Sequence, residues 1–351
     1  MGFGMFVVKR GINIFIVLFF TVFITIVLLG PSMDNILKLS IEKDVRQEIL
    51  NNKALVSGLN PQALDMYIKE QTSSRMKSLG LDEPWYSPKR LWFTMLRILT
   101  FDLGRSYFLI SESGSTKVTD IIMERLPRTV LLFTTSTVIV AIIGILVGAF
   151  AANRHGSIVD KTNSAFAVIS SSFPLWWIGM LMILLFAFTL KVFPARATPV
   201  IPSSDPLYPI ALLYHMLLPL ITILLISFGS WSYIVRNLLI GILNEDFIIV
   251  KRAIGIPERK ILYSHAVRNA APPIITILSL SLSASIGGAI ISEAVFDWPG
   301  IGKLYFDAIN VLDLPVIVGL TYITTLVFLV SVFIADILYG YFDPRVRVGY
   351  E

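Results

Sequence analysis

The chain has 351 residues, of which 55% are hydrophobic and 15% charged, and carries a formal net charge of +5. A soluble domain holds roughly a quarter charged residues, so the composition points to a lipid bilayer as solvent. The absence of cysteine excludes disulfides, thiolate chemistry and Cys-based metal sites, and the three histidines, His155, His215 and His265, show no ligand spacing.

A helix needs about 20 apolar residues to cross the hydrocarbon core. Six such spans are predicted, at 11–30, 130–152, 164–190, 209–235, 272–292 and 314–336. Lys9 and Arg10 before the first run resemble a signal peptide. That run is too long for a signal peptide, however, and no small-residue cleavage site follows "IVLLGPSMDN", so it is read as a retained span.

The segment 31–128 is predicted to be a small helical insertion between spans 1 and 2. Helical patterning runs through "MDNILKLSIEKDVRQEIL" and "NPQALDMYIKEQTSSRMKSLG"; in the second, Asn60 can cap, Pro61 fits the first helical position and Gly80 the end. "SPKRLWFTMLRIL" opens a third helix with Ser87 and Pro88. The insertion contains no histidine, so it cannot assemble a Ser-His-Asp set.

Pro174 breaks span 3 after Ser170, Ser171 and Ser172. It is either a packing kink whose freed backbone is satisfied by neighbours, or one wall of a cavity in which Trp176 and Trp177 can stack on a ligand. His215 and Pro219 in span 4 read as structural. Gly287 and Gly288 in span 5 are expected to allow close helix contact. Beyond them "DWPGIG", Asp297 to Gly302, breaks the helix again. The candidate pathway or gate residues are Ser172, Pro174, Trp176, Trp177, Glu293, Asp297 and Trp298, with a tight surface turn as the alternative reading of the last two.

Between spans 4 and 5 lies "KRAIGIPERK", in which five of ten residues are charged. "NEDFIIVKRA" can form a short helix with Glu245 and Asp246 at its start, where acidic groups suit the dipole. Gly255 suits the left-handed position that ends such a helix, and Pro257 with Glu258 suits the first turn of the next. Two short helices at an angle would make a rigid knob, although an ordinary charged loop would have the same composition.

Lys and Arg in the loops before span 1, between spans 2 and 3, between spans 4 and 5, and after span 6 are Lys9, Arg10, Arg154, Lys161, Arg236, Lys251, Arg252, Arg259, Lys260, Arg268, Arg345 and Arg347. The two short loops on the other side hold only Lys191, Arg196 and Lys303. This asymmetry places both termini and the knob in the cytoplasm, and it explains the net positive charge without nucleic acid.

Ion-coupled carriers place ionisable groups deep within their helices. Here Arg236, Glu293 and Asp336 lie near predicted membrane edges and no ionisable group sits at a midplane. "PGIGKL", Pro299 to Leu304, lacks the GxxxxGK[ST] phosphate-loop spacing. The chain therefore reads as a passage without a motor, either passive or driven by another subunit.

The string "EDFIIVKRAIGIPERKILYSHAVRNAAPPIIT" resembles the coupling loop of ABC-importer permeases of the dipeptide/oligopeptide/nickel family. The resemblance extends over most of the chain, through "LGLDEPWY", "FDLGRSYF", "ERLPRTVLL", "SFPLWWIGMLMILLF", "EAVFDWPGIGKL", "LDLPVIVG" and "FDPRVR". Ile249, Val250, Lys251 and Ile254 depart from it, standing where the family often has Arg, Thr, Ala and Lys, which makes one side of the knob more apolar.

The resemblance implies an all-α polytopic protein with six transmembrane helices and the type I ABC-importer permease fold. Its divisions are residues 1–30, the extracytoplasmic insertion 31–128, spans 2–6 over 129–340 with a coupling loop at 244–271, and a tail at 341–351. The implied role is a non-catalytic permease in the cell membrane, carrying short oligopeptides or oligosaccharides. The implied partners are a second homologous permease, two ATP-binding subunits that hold ATP and Mg, an extracytoplasmic substrate-binding protein and membrane lipid. The chain itself would bind no cofactor. Coupling falls to Glu245, Asp246, Lys251, Arg252, Ala253, Gly255, Pro257, Glu258 and Arg259. An ion-coupled carrier, a passive channel and a membrane-bound enzyme are the alternatives.

Overall fold

A computed structural model describes residues 3–51, 60–78 and 80–342. They form α1 (Phe3–Asn51), α2 (Pro61–Ser78), α3 (Pro88–Leu99), α4 (Val118–Asn153), α5 (Ile158–Ser171), α6 (Leu175–Thr189), α7 (Tyr208–Leu243), α8 (Asp246–Ala253), α9 (Glu258–Ser285), α10 (Ile290–Phe296), α11 (Ile301–Asn310) and α12 (Leu314–Phe342). Among the described residues no sheet forms, and one isolated antiparallel bridge pairs Arg105 with Lys117.

Helices α1, α4, α7 and α12 are each long and apolar enough to cross a membrane. The other two expected spans are bent pairs: α5 and α6 meet at 95°, and α9 and α10 at 62°. If each pair counts as one span, the six apolar runs are accounted for. Pro174 is the cause of the first bend. It stands at the N-cap of α6 in extended conformation, having no N–H with which to continue α5.

Three expectations need correction. The helix of the first span does not end at residue 30, because α1 runs unbroken through Pro31 and absorbs the helix expected after it. Gly287 and Gly288 stand at a break between helices, not within one, although Gly288 does pack closely on Thr129 of α4. Gly288 adopts φ +67° at the second bend, where a Cβ would collide with Glu293 and Thr129. The second helix of the knob is not short, since α9 continues through a π turn at Ile261–Ala266 to Ser285.

The described residues divide into two compact units. The first draws on residues up to Ile14, Ile122–Asp307 and those from Thr324 onward. Close approach of α4 to α7 is built on Gly148, where a Cβ would lie 2.5 Å from the Ser232 carbonyl oxygen. The α5–α7 contact is built on Gly229, where a Cβ would lie 3.0 Å from Ala167 Cα. One apolar core joins Val140, Ala149, Trp231, Val235, Leu239, Ile248, Ile261 and Ala266. A second gathers Leu132, Met182, Met216, Phe296 and Trp298.

The second unit takes in Phe15–Ile121 and Ala308–Ile323. Its helical pair α1–α2 buries Ile41, Val45, Ile49 and Ile68 together with Leu81. The expected caps form: Asn60 Oδ1 accepts the Ala63 N–H at 2.7 Å, and Ser87 Oγ accepts from Arg90 N. Asp313, fully buried, accepts through Oδ2 from the Ser106 hydroxyl at 2.6 Å and from the N–H groups of Tyr107, Phe108 and Leu109. That carboxylate ties "FDLGRSYF" to "LDLPVIVG", two motifs far apart in sequence.

Candidate functional site

The loop between α7 and α9 is a built element. Asp246 in the first turn of α8 and Lys251 and Arg252 in the last complement the helix dipole. The helix ends in a Schellman motif: Ile256 N–H donates to Lys251 O at 3.1 Å and Gly255 N–H to Arg252 O at 3.0 Å. Gly255 occupies the left-handed C′ position at φ +80°, with open space where a Cβ would point. Pro257, extended at ψ 138°, is the N-cap of the next helix, and Glu258 begins that helix.

The knob has one face held and one face open. Ile248 is fully buried with Leu239, Leu243, Ile261 and Leu262. Across the turn Arg252 Nε donates to Glu258 Oε1 at 2.7 Å, and Arg252 Nη1 reaches the Leu243 carbonyl at 3.4 Å. Lys251 Nζ meets His265 Nδ1 at 2.8 Å and sits over the Phe247 ring. Turned outward are Ile249 at 53%, Val250 at 59% and Ile254 at 69% exposure, with Glu245, Ala253 and Arg259 also exposed. Two exposed aliphatic side chains on an eight-residue helix and a third at its C-cap, Ile254, are a patch that calls for a partner.

The candidate pathway residues do not gather into one site. Ser172 is exposed and donates to the Val168 carbonyl. Trp176 is half-buried, whereas Trp177 stacks on Phe173 with centroids 5.1 Å apart. Glu293 is buried in a knot of its own, accepting from Thr129 Oγ1 at 3.1 Å, Gly302 N–H at 2.9 Å and Lys303 N–H at 3.2 Å. Trp298 is wholly buried and donates from Nε1 to the Arg128 carbonyl, while Asp297 pairs with Lys303 at 2.5 Å. In this conformation "DWPGIG" is a packed corner: its Trp298, and Glu293 of the preceding helix α10, are buried against protein.

The remaining edge charges are satisfied within the chain. Arg236 binds Asp160 through two bonds of 2.6 and 2.8 Å, joining the end of α7 to the start of α5, and Gly156 N–H adds a third bond to the same carboxylate. Asp336 pairs with Arg10. Sequence reasoning marked Arg236 but missed Asp160. The available signal was a lone acid one turn into a helix beside a lone base, which only topology brings together. "FDPRVR" lies outside the described residues from residue 343 on.

Long apolar helices, two bent pairs and a short helix projecting from the loop between α7 and α9 define a polytopic membrane permease. The chain belongs to the family described as the binding-protein-dependent transport system inner membrane component, whose model matches residues 144–348. It is 32% identical over 272 residues to the oligopeptide transport system permease protein AppB of Bacillus subtilis strain 168, covering 78% of this chain and 84% of that one. It is 32% identical over 256 residues to the dipeptide transport system permease protein DppB of the same organism, covering 73% and 78%. To the DppB protein of Escherichia coli K12 it is 29% identical over 298 residues, covering 79% and 86%.

Proposed function

We propose that this chain, an ABC-importer permease subunit of the inner membrane, forms half of a translocation pathway for short peptides. It would pair with a second permease and receive cargo from an extracytoplasmic binding protein. The peptide assignment rests on the names of the relatives, which are oligopeptide and dipeptide permeases. Oligosaccharides remain the second cargo class, suited by exposed aromatics such as Trp177.

The observation that carries the coupling role is the division of α8 and its C-cap into a buried side at Ile248 and an open aliphatic side at Ile249, Val250 and Ile254. The open side seats in a groove of a cytoplasmic ATP-hydrolysing subunit, with ATP and Mg held on that partner. Closure of two such subunits displaces α8. Because α9 is continuous from Glu258 to Ser285, the displacement is carried along span 5 to its bend at Gly288. The two states differ in the contacts α8 makes with its partner, which is what allows nucleotide to bias them.

Co-purification from the native membrane tests this reading. Two ATP-hydrolysing chains and a second six-span chain are expected to accompany this one, with uptake blocked by vanadate and not by collapse of the proton gradient. The opposite inhibitor pattern identifies an ion-coupled carrier.

A further inference from the structure

We propose that His265 and Lys251 form a proton-operated clamp that holds α8 against α9 and releases it when the surrounding compartment acidifies. The consequence for transport rests on the coupling role proposed above, but the clamp can be tested separately.

Lys251 Nζ lies 2.8 Å from His265 Nδ1. An ammonium can only donate, so Nδ1 is the acceptor and the imidazole proton resides on Nε2. That nitrogen is buried without a hydrogen-bond partner. Only the neutral ring in one tautomer is compatible with this geometry. The ring sits in the π turn Ile261–Ala266, a departure from helical bonding of the kind that often marks functional positions.

The charges acting on His265 are all positive: Lys251 from α8, and Lys260 and Arg268 from its own helix. The α7 residues in the core beside the π turn, Leu239 and Leu243, bring no charge. A solvent proton taken up at Nδ1 removes the acceptor of Lys251 and sets a second cation against it. Nothing in this cluster offsets the repulsion, so the Lys251 ammonium must leave. Helix α8 then loses its one polar tie to His265 while keeping the apolar packing of Ile248 and Phe247 and the Arg252 bonds to Glu258 and the Leu243 carbonyl. Imidazoles titrate between about pH 5 and about pH 8, so the clamp is closed at the alkaline end and opens as pH falls.

The test is amide hydrogen exchange across α8 in the full chain held in lipid nanodiscs, expressed as protection factors so that intrinsic pH effects cancel. Between about pH 8 and about pH 5.5 the native chain is expected to lose about tenfold in protection. His265→Asn places a neutral amide oxygen near the Nδ1 position and should keep protection level across that range. Lys251→Met should be poorly protected at both ends. Parallel losses in native and His265→Asn chains, or no loss in the native chain, overturn the clamp. ATP hydrolysis by the assembled complex is read alongside, with the native complex expected to fall more steeply with acid than His265→Asn. If exchange behaves as expected while the two hydrolysis profiles coincide, the clamp stands and the coupling role fails.

Discussion

Arg252 reaches across Gly255 to Glu258, Nε to Oε1 at 2.7 Å, so that the last turn of α8 and the first turn of α9 are bound on both sides of a left-handed residue. The angle between the two helices therefore depends in part on one backbone conformation and one exposed ion pair. Both can be altered without touching a buried side chain.

Gly255→Val should uncouple the importer while leaving the chain folded. A β-branched residue in the left-handed region costs about 1–2 kcal/mol, yet its side chain would enter open space, so the strain falls on the turn and not on the core. Expected are normal membrane levels with loss of substrate-stimulated ATP hydrolysis and uptake. Gly255→Asn, which tolerates this conformation, should retain both. Full activity of the Val variant would remove the hinge from the account.

Charge reversal at Arg252 should weaken attachment of the ATP-hydrolysing subunit, and the double exchange Arg252→Glu with Glu258→Arg should restore it. An exposed pair of this kind is worth only about 0.2–1 kcal/mol, so the effect should shrink further at high salt. Failure of the double exchange to restore attachment would mean that Arg252 contacts the partner directly. The same pull-down with Arg259→Glu separates the two arginines, since Arg259 is exposed on the α9 side of the turn.

The caps, the glycine turn and the proline break were legible in the sequence because each is a local signal: Asn60, Ser87, Gly255 and Pro174 act on backbone within a few residues of themselves. The partners of the edge charges were not. Arg236 finds Asp160 across 76 positions and Arg10 finds Asp336 across 326, distances over which only the folded topology decides who meets whom. The second bend was misread for a related reason. A Gly-Gly pair in an apolar run signals either close packing or a left-handed break, and the surroundings of Gly288 include Thr129, which lies far earlier in the chain, as well as the nearby Glu293.

Asp160→Asn should destabilise the chain strongly. The Arg236 guanidinium is largely buried, and taking the charge from its partner leaves it uncompensated, a loss of about 3–5 kcal/mol for a buried pair. Thermal unfolding of the purified chain in detergent is the measurement. An unshifted midpoint would show that the pair carries no net stability.

Gly148→Ala should separate α4 from α7. The added methyl would lie 2.5 Å from a backbone oxygen that cannot rotate away, and overpacking of this sort costs about 1–3 kcal/mol. A lower unfolding midpoint is expected, with the same substitution at the open position Gly241 as the control. Equal midpoints for the two variants would contradict the close approach.

The chain contains no cysteine, so Ile254→Cys introduces a single thiol at the most exposed of the three outward aliphatic residues of the knob. Cross-linking from that thiol in native membranes measures directly what α8 touches. The account predicts one major product, joining the chain to a nucleotide-hydrolysing subunit and changing in yield when a non-hydrolysable ATP analogue is added. Labelling of the thiol by a membrane-impermeant reagent from outside intact cells, with no such product, would contradict it.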